Sequence, residues 1–398
     1  MLPAKIIHSF FRGSGCVTMS YKATSICLKS SLAAVFMLFL QPVFAQYNWT
    51  ELDAELQAKQ KLLGNNVVCL LWKGDSLIYK KEMGEFNSKT QAPIASCSKW
   101  LTAALVMQFV DEGKLSLDDK VVKYIPEFEK YFKNYITIRQ CLSHMTGIAD
   151  DSKFLKRLLE RRKFASLEEE VNSFAAREIR AAAGTDFWYG NVGLNIAGRV
   201  LEVISKKKFE MLIKTKLFTP LGMTKTTFAD MNGGPVNPSG GAKSTADDYM
   251  KFLVMLMNKG KYNGQQILSE EAVNQMMQVQ DKPEQIKYAP KAAEGFTYAL
   301  GSWVVESNEK TELSMDGPPI KKANSPKLEN VVATKKNKAT ALASPGLFGT
   351  WPMIDFCRGY AYIIFVKNLL GEERADAHIG IKKIIDKQVA YVAGECSQ

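Results

Sequence analysis

Two short segments hold the side chains that could do chemistry together. In Ser96-Cys97-Ser98-Lys99 a serine is followed three residues later by a lysine. On one helical turn that spacing puts both side chains on the same face. A serine at a helix N-terminus has an unpaired backbone N–H, and the local dipole favours developing negative charge. The lysine can take the hydroxyl proton if burial and its neighbours depress its ammonium pKa. Tyr189-Gly190-Asn191 is the second segment, and of the 14 tyrosines Tyr189 alone has an asparagine two residues on. A phenol near a lysine can share its proton traffic, and an amide can orient both the lysine and a substrate carbonyl. Together they could supply a serine nucleophile with a base beside it.

Context separates Ser96 and Lys99 from two other matches to the same spacing, Ser205 to Lys208 and Ser307 to Lys310. The first sits mid-helix in a Lys-Lys-Lys run, and the second lies in the polar loop. Ser96 instead opens the apolar run Trp100-Leu-Thr-Ala-Ala-Leu-Val-Met-Gln-Phe-Val, so its lysine points into a core. The bland alternative for Ser96 is a helix N-cap, and for Tyr189 a buried phenol in a turn.

The elements that must position these groups follow from hydrophobic periodicity. Residues 65–79 read as two strands turned at Lys73-Gly74-Asp75. A helix is predicted from about Ser96 to Glu112, stopping at Gly113. Helical patterns then dominate: Ile136 to His144, the charged stretch 152–180, Val192 to Lys206, and Phe209 to Leu217. From Ser239 to Asp248 a turn leads into a capped helix start, with Met250 to Met257 on its apolar face. Phe296 to Val305 and Arg358 to Val366 are β-rich, and the lysine-rich stretch 306–340 between them reads as a solvated loop. A helical pattern over 374–394 closes the chain. Strands near both ends with helices between predict an α/β (α+β) fold, an antiparallel sheet flanked by helices with an all-helical insertion. The expected domains are a signal peptide at 1–45, a discontinuous α/β sheet domain at 46–120 and 290–398, and a mainly helical domain at 121–289.

Composition bounds the partners. The 398 residues are 46% hydrophobic and 23% charged, which excludes disordered, collagen-like and multi-span membrane chains. The net charge is +11, but four cations and no acid lie in the first 45 residues. The remaining +7 is spread along the chain, so nucleic acid is not an expected partner. Basic residues up to Lys29, the apolar run Leu32 to Leu40 and Val43-Phe44-Ala45 read as an export signal, cut before Gln46, with Met19 as a second candidate start. Nine apolar residues are too few for a bilayer, which takes about 20. The expectation is a periplasmic or secreted chain with no span after processing. Five Cys remain (Cys69, Cys97, Cys141, Cys357, Cys396), so at least one is free. With only His144 and His378 left, an H-E-x-x-H zinc site cannot be built. G-x-S-x-G, G-x-G-x-x-G and Walker loops are missing too, and no cofactor is expected.

At this point a family comes into view. Ile94-Ala-Ser-Cys-Ser-Lys-Trp-Leu-Thr-Ala103 resembles the nucleophile helix of class C β-lactamases and their relatives, the D,D-carboxypeptidases, D-aminopeptidases and carboxylesterases. Leu142-Ser-His-Met-Thr-Gly-Ile148 resembles that family's L-x-H-T-S-G-L turn, and Gly184 to Leu194 its P-G-x-x-F-x-Y-S-N-x-G-Y segment. Pro220 to Met223, Gly240 to Asp248 and Tyr298 to Gly301 fit in order. The resemblance implies Ser96 as acylated nucleophile, Lys99 as base, Tyr189 as second proton-transfer group, Asn191 as substrate-positioning amide and His144 as structural. Where the family carries K-T-G or H-x-G, the best match is Ser344-Pro345-Gly346. Glycine there lets substrate approach, and the Leu347 N–H would be the second oxyanion donor beside that of Ser96. The cation is missing, which points to small esters or amides ahead of carboxylate-bearing β-lactams. The expected function is an exported serine hydrolase with a small-molecule or peptide substrate. The alternative is a catalytically impaired penicillin-binding-like protein that binds cell-wall peptides or a partner protein.

Overall fold

The computed structural model describes residues 47–150, 163–229, 234–308, 337–368, 376–392 and 396. The N-terminal leader, the start of the charged stretch at 152, Lys310 and most of the 306–340 stretch lie outside the described residues. Asn48–Gln398 forms one unit, apart from Met1–Tyr47.

Its centre is a seven-stranded sheet, antiparallel throughout: β1 (Val67–Lys73), β2 (Ser76–Met83), β3 (Thr297–Tyr298), β4 (Trp303–Ser307), β5 (Ala339–Ala343), β6 (Trp351–Asp355) and β7 (Tyr360–Val366), in the order β2-β1-β7-β6-β5-β4-β3. β1 and β2 meet across a two-residue turn, with Gly74 at φ +57° as its first turn residue. β7 is buried along its whole length. Its side chains alternate: Ala361, Ile363 and Phe365 join the main core, while Tyr360 and Tyr362 face the opposite side. The chain's two ends thus share one sheet, as the β-rich runs predict. Neither β5, whose first residues fall at the end of the stretch read as a solvated loop, nor β6 is expected as a strand from the sequence.

Seven helices matter here: α1 (Thr50–Lys59), α2 (Ser98–Asp111), α3 (Ile138–Leu142), α4 (Leu167–Ala175), α5 (Val192–Ser205), α6 (Ala246–Met257) and α7 (Asp376–Gln388). α2 is the central helix, with every residue from Ser98 to Phe109 buried. A run of apolar residues on all sides requires such a position. Trp100, wholly buried, meets Phe252 of α6 edge-on at 5.8 Å. Burying a large side chain of that kind contributes roughly 2–3 kcal/mol. α2 ends in a Schellman cap: Gly113 takes φ +66°, its N–H donates to Val110 O, and the Lys114 N–H donates to Phe109 O. Thr245 caps α6 by accepting from the Asp248 N–H at 3.1 Å.

The region between β2 and β3 is mainly helical, but not wholly so as expected. Short pairs join Ala92–Pro93 to Lys243–Ser244, Phe187–Trp188 to Ile286–Tyr288, and Lys261–Tyr262 to Gln265–Gln266. The first two lace segments around the site together.

On the face opposite α2, α7 is tied down by polar contacts. His378 stacks on Trp351 at 4.5 Å, and Lys382 reaches Glu306, Asp355 and Asp386 at 2.7, 3.2 and 2.6 Å. With Arg358 also paired to Asp355, this carboxylate cluster is filled by its own cations. Cys357 and Cys396 form a disulfide, while Cys69, Cys97 and Cys141 are free and buried.

Candidate active site

Ser96 sits in a single 3-10 turn, Ala95–Cys97, that runs into α2. Its hydroxyl caps neither element, so the N-cap alternative does not hold. Ala95 is held at φ +45°, a conformation that carries a cost on the order of 1 kcal/mol for a residue with a Cβ. Three bonds maintain it. The Ser98 hydroxyl donates to Ala95 O at 2.6 Å and accepts from the Ala242 N–H at 3.0 Å, and the Ile94 N–H donates to Ala242 O. Cys97 points away from the turn's open side: its Sγ faces Thr350 O at 3.5 Å, and burial pushes its thiol pKa up.

Lys99, one turn on, is 1% exposed. Its Nζ lies 3.2 Å from Ser96 Oγ, 3.4 Å from Asn191 Oδ1 and 2.8 Å from Ser239 O. The Tyr189 ring centroid is 4.8 Å away. Three of the sequence-predicted groups therefore converge on the nitrogen of the fourth. Ser239 O and Asn191 Oδ1 each accept an N–H of this nitrogen, and the serine hydroxyl lies within hydrogen-bond reach of it. A neutral amine would present its lone pair there. The Ser239 carbonyl was not anticipated, because a backbone oxygen carries no side-chain signature. It is held from both sides: Asn195 Oδ1 of α5 accepts from the Ser239 N–H, and Thr102 of α2 donates to Pro238 O.

Tyr189 is packed in an aromatic box, with His144 at 4.6 Å, Trp303 at 5.1 Å and Tyr298 at 6.1 Å between ring centroids. The Gly190 N–H donates to His144 Nδ1 at 3.4 Å, which leaves the ring proton on Nε2 to reach Tyr298 Oη at 3.2 Å. His144 thus orders the loop and does not contact the serine through any hydrogen bond described. Behind the box lies Asp281, whose Oδ1 accepts from the Tyr298 N–H at 2.7 Å while Oδ2 is buried with no hydrogen-bond partner among the described residues. Burial raises its carboxyl to about 7, against the opposing pull of the Tyr298 N–H. A carboxyl raised on folding holds its proton in the native state at pH values where the unfolded chain has lost it. Its contribution to stability is therefore full below about pH 4 and is lost as pH rises through 7. Asp281→Asn removes that loss, so its thermal midpoint should gain on the parent between about pH 4 and pH 7 and level off above that. A difference that is flat with pH would show that Asp281 titrates normally.

The third segment closes the site from the sheet. Ser344, just past β5, is 4% exposed and its Oγ donates to Ser96 O at a long 3.5 Å. Gly346 abuts the nucleophile turn so tightly that a Cβ would sit 2.3 Å from Ile94 O. Only glycine fits. Among the described residues, the Leu347 N–H that follows has no hydrogen-bond partner, as an oxyanion donor requires before substrate arrives. Of the two accidental matches, Ser205 bonds back to Leu201 O inside α5 and Lys208 is exposed.

The β-lactamase family model matches residues 52–384. An uncharacterized protein of Mycobacterium tuberculosis is 25% identical over 269 residues, 53% of this chain and 67% of that protein. Protein flp of Staphylococcus aureus is 27% identical over 146 residues, 36% of this chain and 29% of its own length. Among solved structures, a candidate β-lactamase from Bacteroides dorei superposes with a TM-score of 0.69 at 25% identity, covering 86% of this chain and all of that one. EstCE1, a hydrolase with promiscuous acyltransferase activity, shares the fold at a TM-score of 0.63 and 16% identity, over 84% of this chain and all of its own. The chain belongs to the β-lactamase family.

Proposed function

We propose that the chain is an exported serine hydrolase that acts through an acyl-serine intermediate on small uncharged esters and amides. The observation that carries this reading is the buried Lys99 Nζ, 3.2 Å from Ser96 Oγ and oriented by Asn191 and the Ser239 carbonyl. Lys99 takes the proton as Ser96 Oγ attacks the substrate carbonyl. The resulting oxyanion meets the Ser96 and Leu347 N–H groups. The proton then passes to the leaving group, with Tyr189 sharing the transfer, and water enters by the reverse route to free the acid.

The substrate preference rests on Ser344, which is neutral and buried. A cation there would offer a substrate carboxylate a bond of roughly 1.5–3 kcal/mol, about tenfold to a hundredfold in binding. The expected result is a higher kcat/KM for nitrophenyl butyrate than for nitrocefin. The reverse order would overturn the ester preference and leave the acyl-serine reading standing. A fluorophosphonate probe that fails to modify Ser96 would overturn the hydrolase reading itself and favour the impaired, peptide-binding alternative.

Export is supported by the Cys357–Cys396 disulfide, since such bonds persist in oxidising compartments, and by the signal-like leader. Expressed with its leader in a Gram-negative host, the chain should be periplasmic with its N-terminus near Gln46. Uncut chain in the membrane pellet would contradict that.

A further inference from the structure

Asn191 stands at the N-cap of α5 without capping it: no side-chain bond closes the first turn. An asparagine in that place ordinarily turns its oxygen back onto the helix. Here Oδ1 is turned to Lys99 instead, 3.4 Å from Nζ. The backbone N–H of Asn191 itself is bound from another segment. Asp150, 6% exposed and just past the His144 turn, accepts the Asn191 N–H on Oδ2 at 2.7 Å. Its Oδ1 lies 3.5 Å from Arg177 Nη1, and the same guanidinium donates to Ala149 O and packs over the Phe174 ring. A carboxylate at this helix end is also favoured by the dipole of α5.

The neighbouring glycine makes the arrangement possible. A Cβ on Gly190 would lie 2.1 Å from Asp150 Oδ2 and 2.9 Å from its Cγ. Gly190 has an ordinary φ, so space and not backbone conformation demands glycine there. A side chain at position 190 therefore requires the Asp150 carboxylate to leave the place where it accepts the Asn191 N–H.

We propose that Asp150 is a positioning residue for the hydrolysis set out above: lodged in the space that Gly190 leaves, it holds the Asn191 backbone so that the Asn191 amide serves Lys99 and the substrate. The proposal rests on the hydrolase reading for its catalytic effect, but the hydrogen bond it assigns does not. Asp150→Ala should lower kcat about tenfold to a hundredfold, the range of a charge-assisted hydrogen bond, and speed hydrogen exchange of the Asn191 amide. Asp150→Asn keeps an oxygen for that N–H and should recover most of both. Gly190→Ala should be as damaging as Asp150→Ala on its own. In the Asp150→Ala background the space is vacant, and adding Gly190→Ala should change kcat by no more than about twofold.

The experiment is this double-mutant cycle, read as kcat and KM on nitrophenyl butyrate and as exchange at Asn191. Additive losses, or an Asp150→Ala protein with parental kcat and exchange, would overturn the proposal. A parent protein that turns over no ester and whose Ser96 takes up no fluorophosphonate would instead overturn the hydrolase reading, and the exchange cycle alone would then decide the role of Asp150.

Discussion

Replacing Ser96 by alanine is expected to abolish turnover and leave the fold intact. The loss should be about 10⁴-fold or more in kcat, the scale on which removal of a nucleophile acts. The structural cost is small. The hydroxyl's described bond is to Lys99 at 3.2 Å, and one such bond is worth about 1 kcal/mol. The turn itself is held by Ser98, Ala242 and Ile94, none of which depends on the Ser96 side chain. With a slow ester the parent should show an acyl adduct on the peptide holding Ser96, read by intact-mass and peptide mass spectrometry. The adjacent Cys97 supplies the discriminating outcome. It is wholly buried against Thr350 with its thiol pKa raised, so it is a poor nucleophile. An adduct on Cys97, or undiminished activity in Ser96→Ala, would remove serine from the mechanism.

What could be read from the sequence divides along a physical line. Ser96 and Lys99 were legible because a three-residue spacing on a turn is local, and the apolar run behind them announces burial. Tyr189 and Asn191 were legible as a pair of residue types, though not the box that holds the phenol. That box draws His144, Trp303 and Tyr298 from segments far apart, and only tertiary packing brings them together. Ser239 contributes a carbonyl, and a carbonyl has no sequence. Asp150 and Asp281 are carboxylates among many, distinguished only by what they touch. β5 and β6 were hidden for a different reason. β5 reads Ala-Thr-Ala-Leu-Ala, weak in strand propensity, and β6 carries Pro352 although it lies between β7 and β5. Burial on both sides overrides both signals.

The second large effect is expected at Lys99, and its value lies in separating chemistry from packing. Lys99→Met keeps an unbranched apolar stem in the core and removes the nitrogen. kcat should fall at least the ~10²-fold typical of losing a proton-transfer group. Stability should move little: Ser239 O and Asn191 Oδ1 each lose a donor, which costs about 1 kcal/mol apiece, but the chain no longer buries an amine. A lysine that served only the core would show the opposite pattern, a lower midpoint with activity intact. Tyr189→Phe makes the same separation for the phenol, because the ring contacts to His144 and Trp303 persist when the hydroxyl goes. It too should lose about 10²-fold in kcat with an unmoved midpoint. Lys208→Ala, at the exposed accidental match, is the control and should alter neither quantity. Equal losses at Lys99 and Lys208 would mean that charge and not position matters. Full activity in Tyr189→Phe would leave Lys99 as the sole carrier of the proton, with the aromatic box serving only to seat Asn191 beside it.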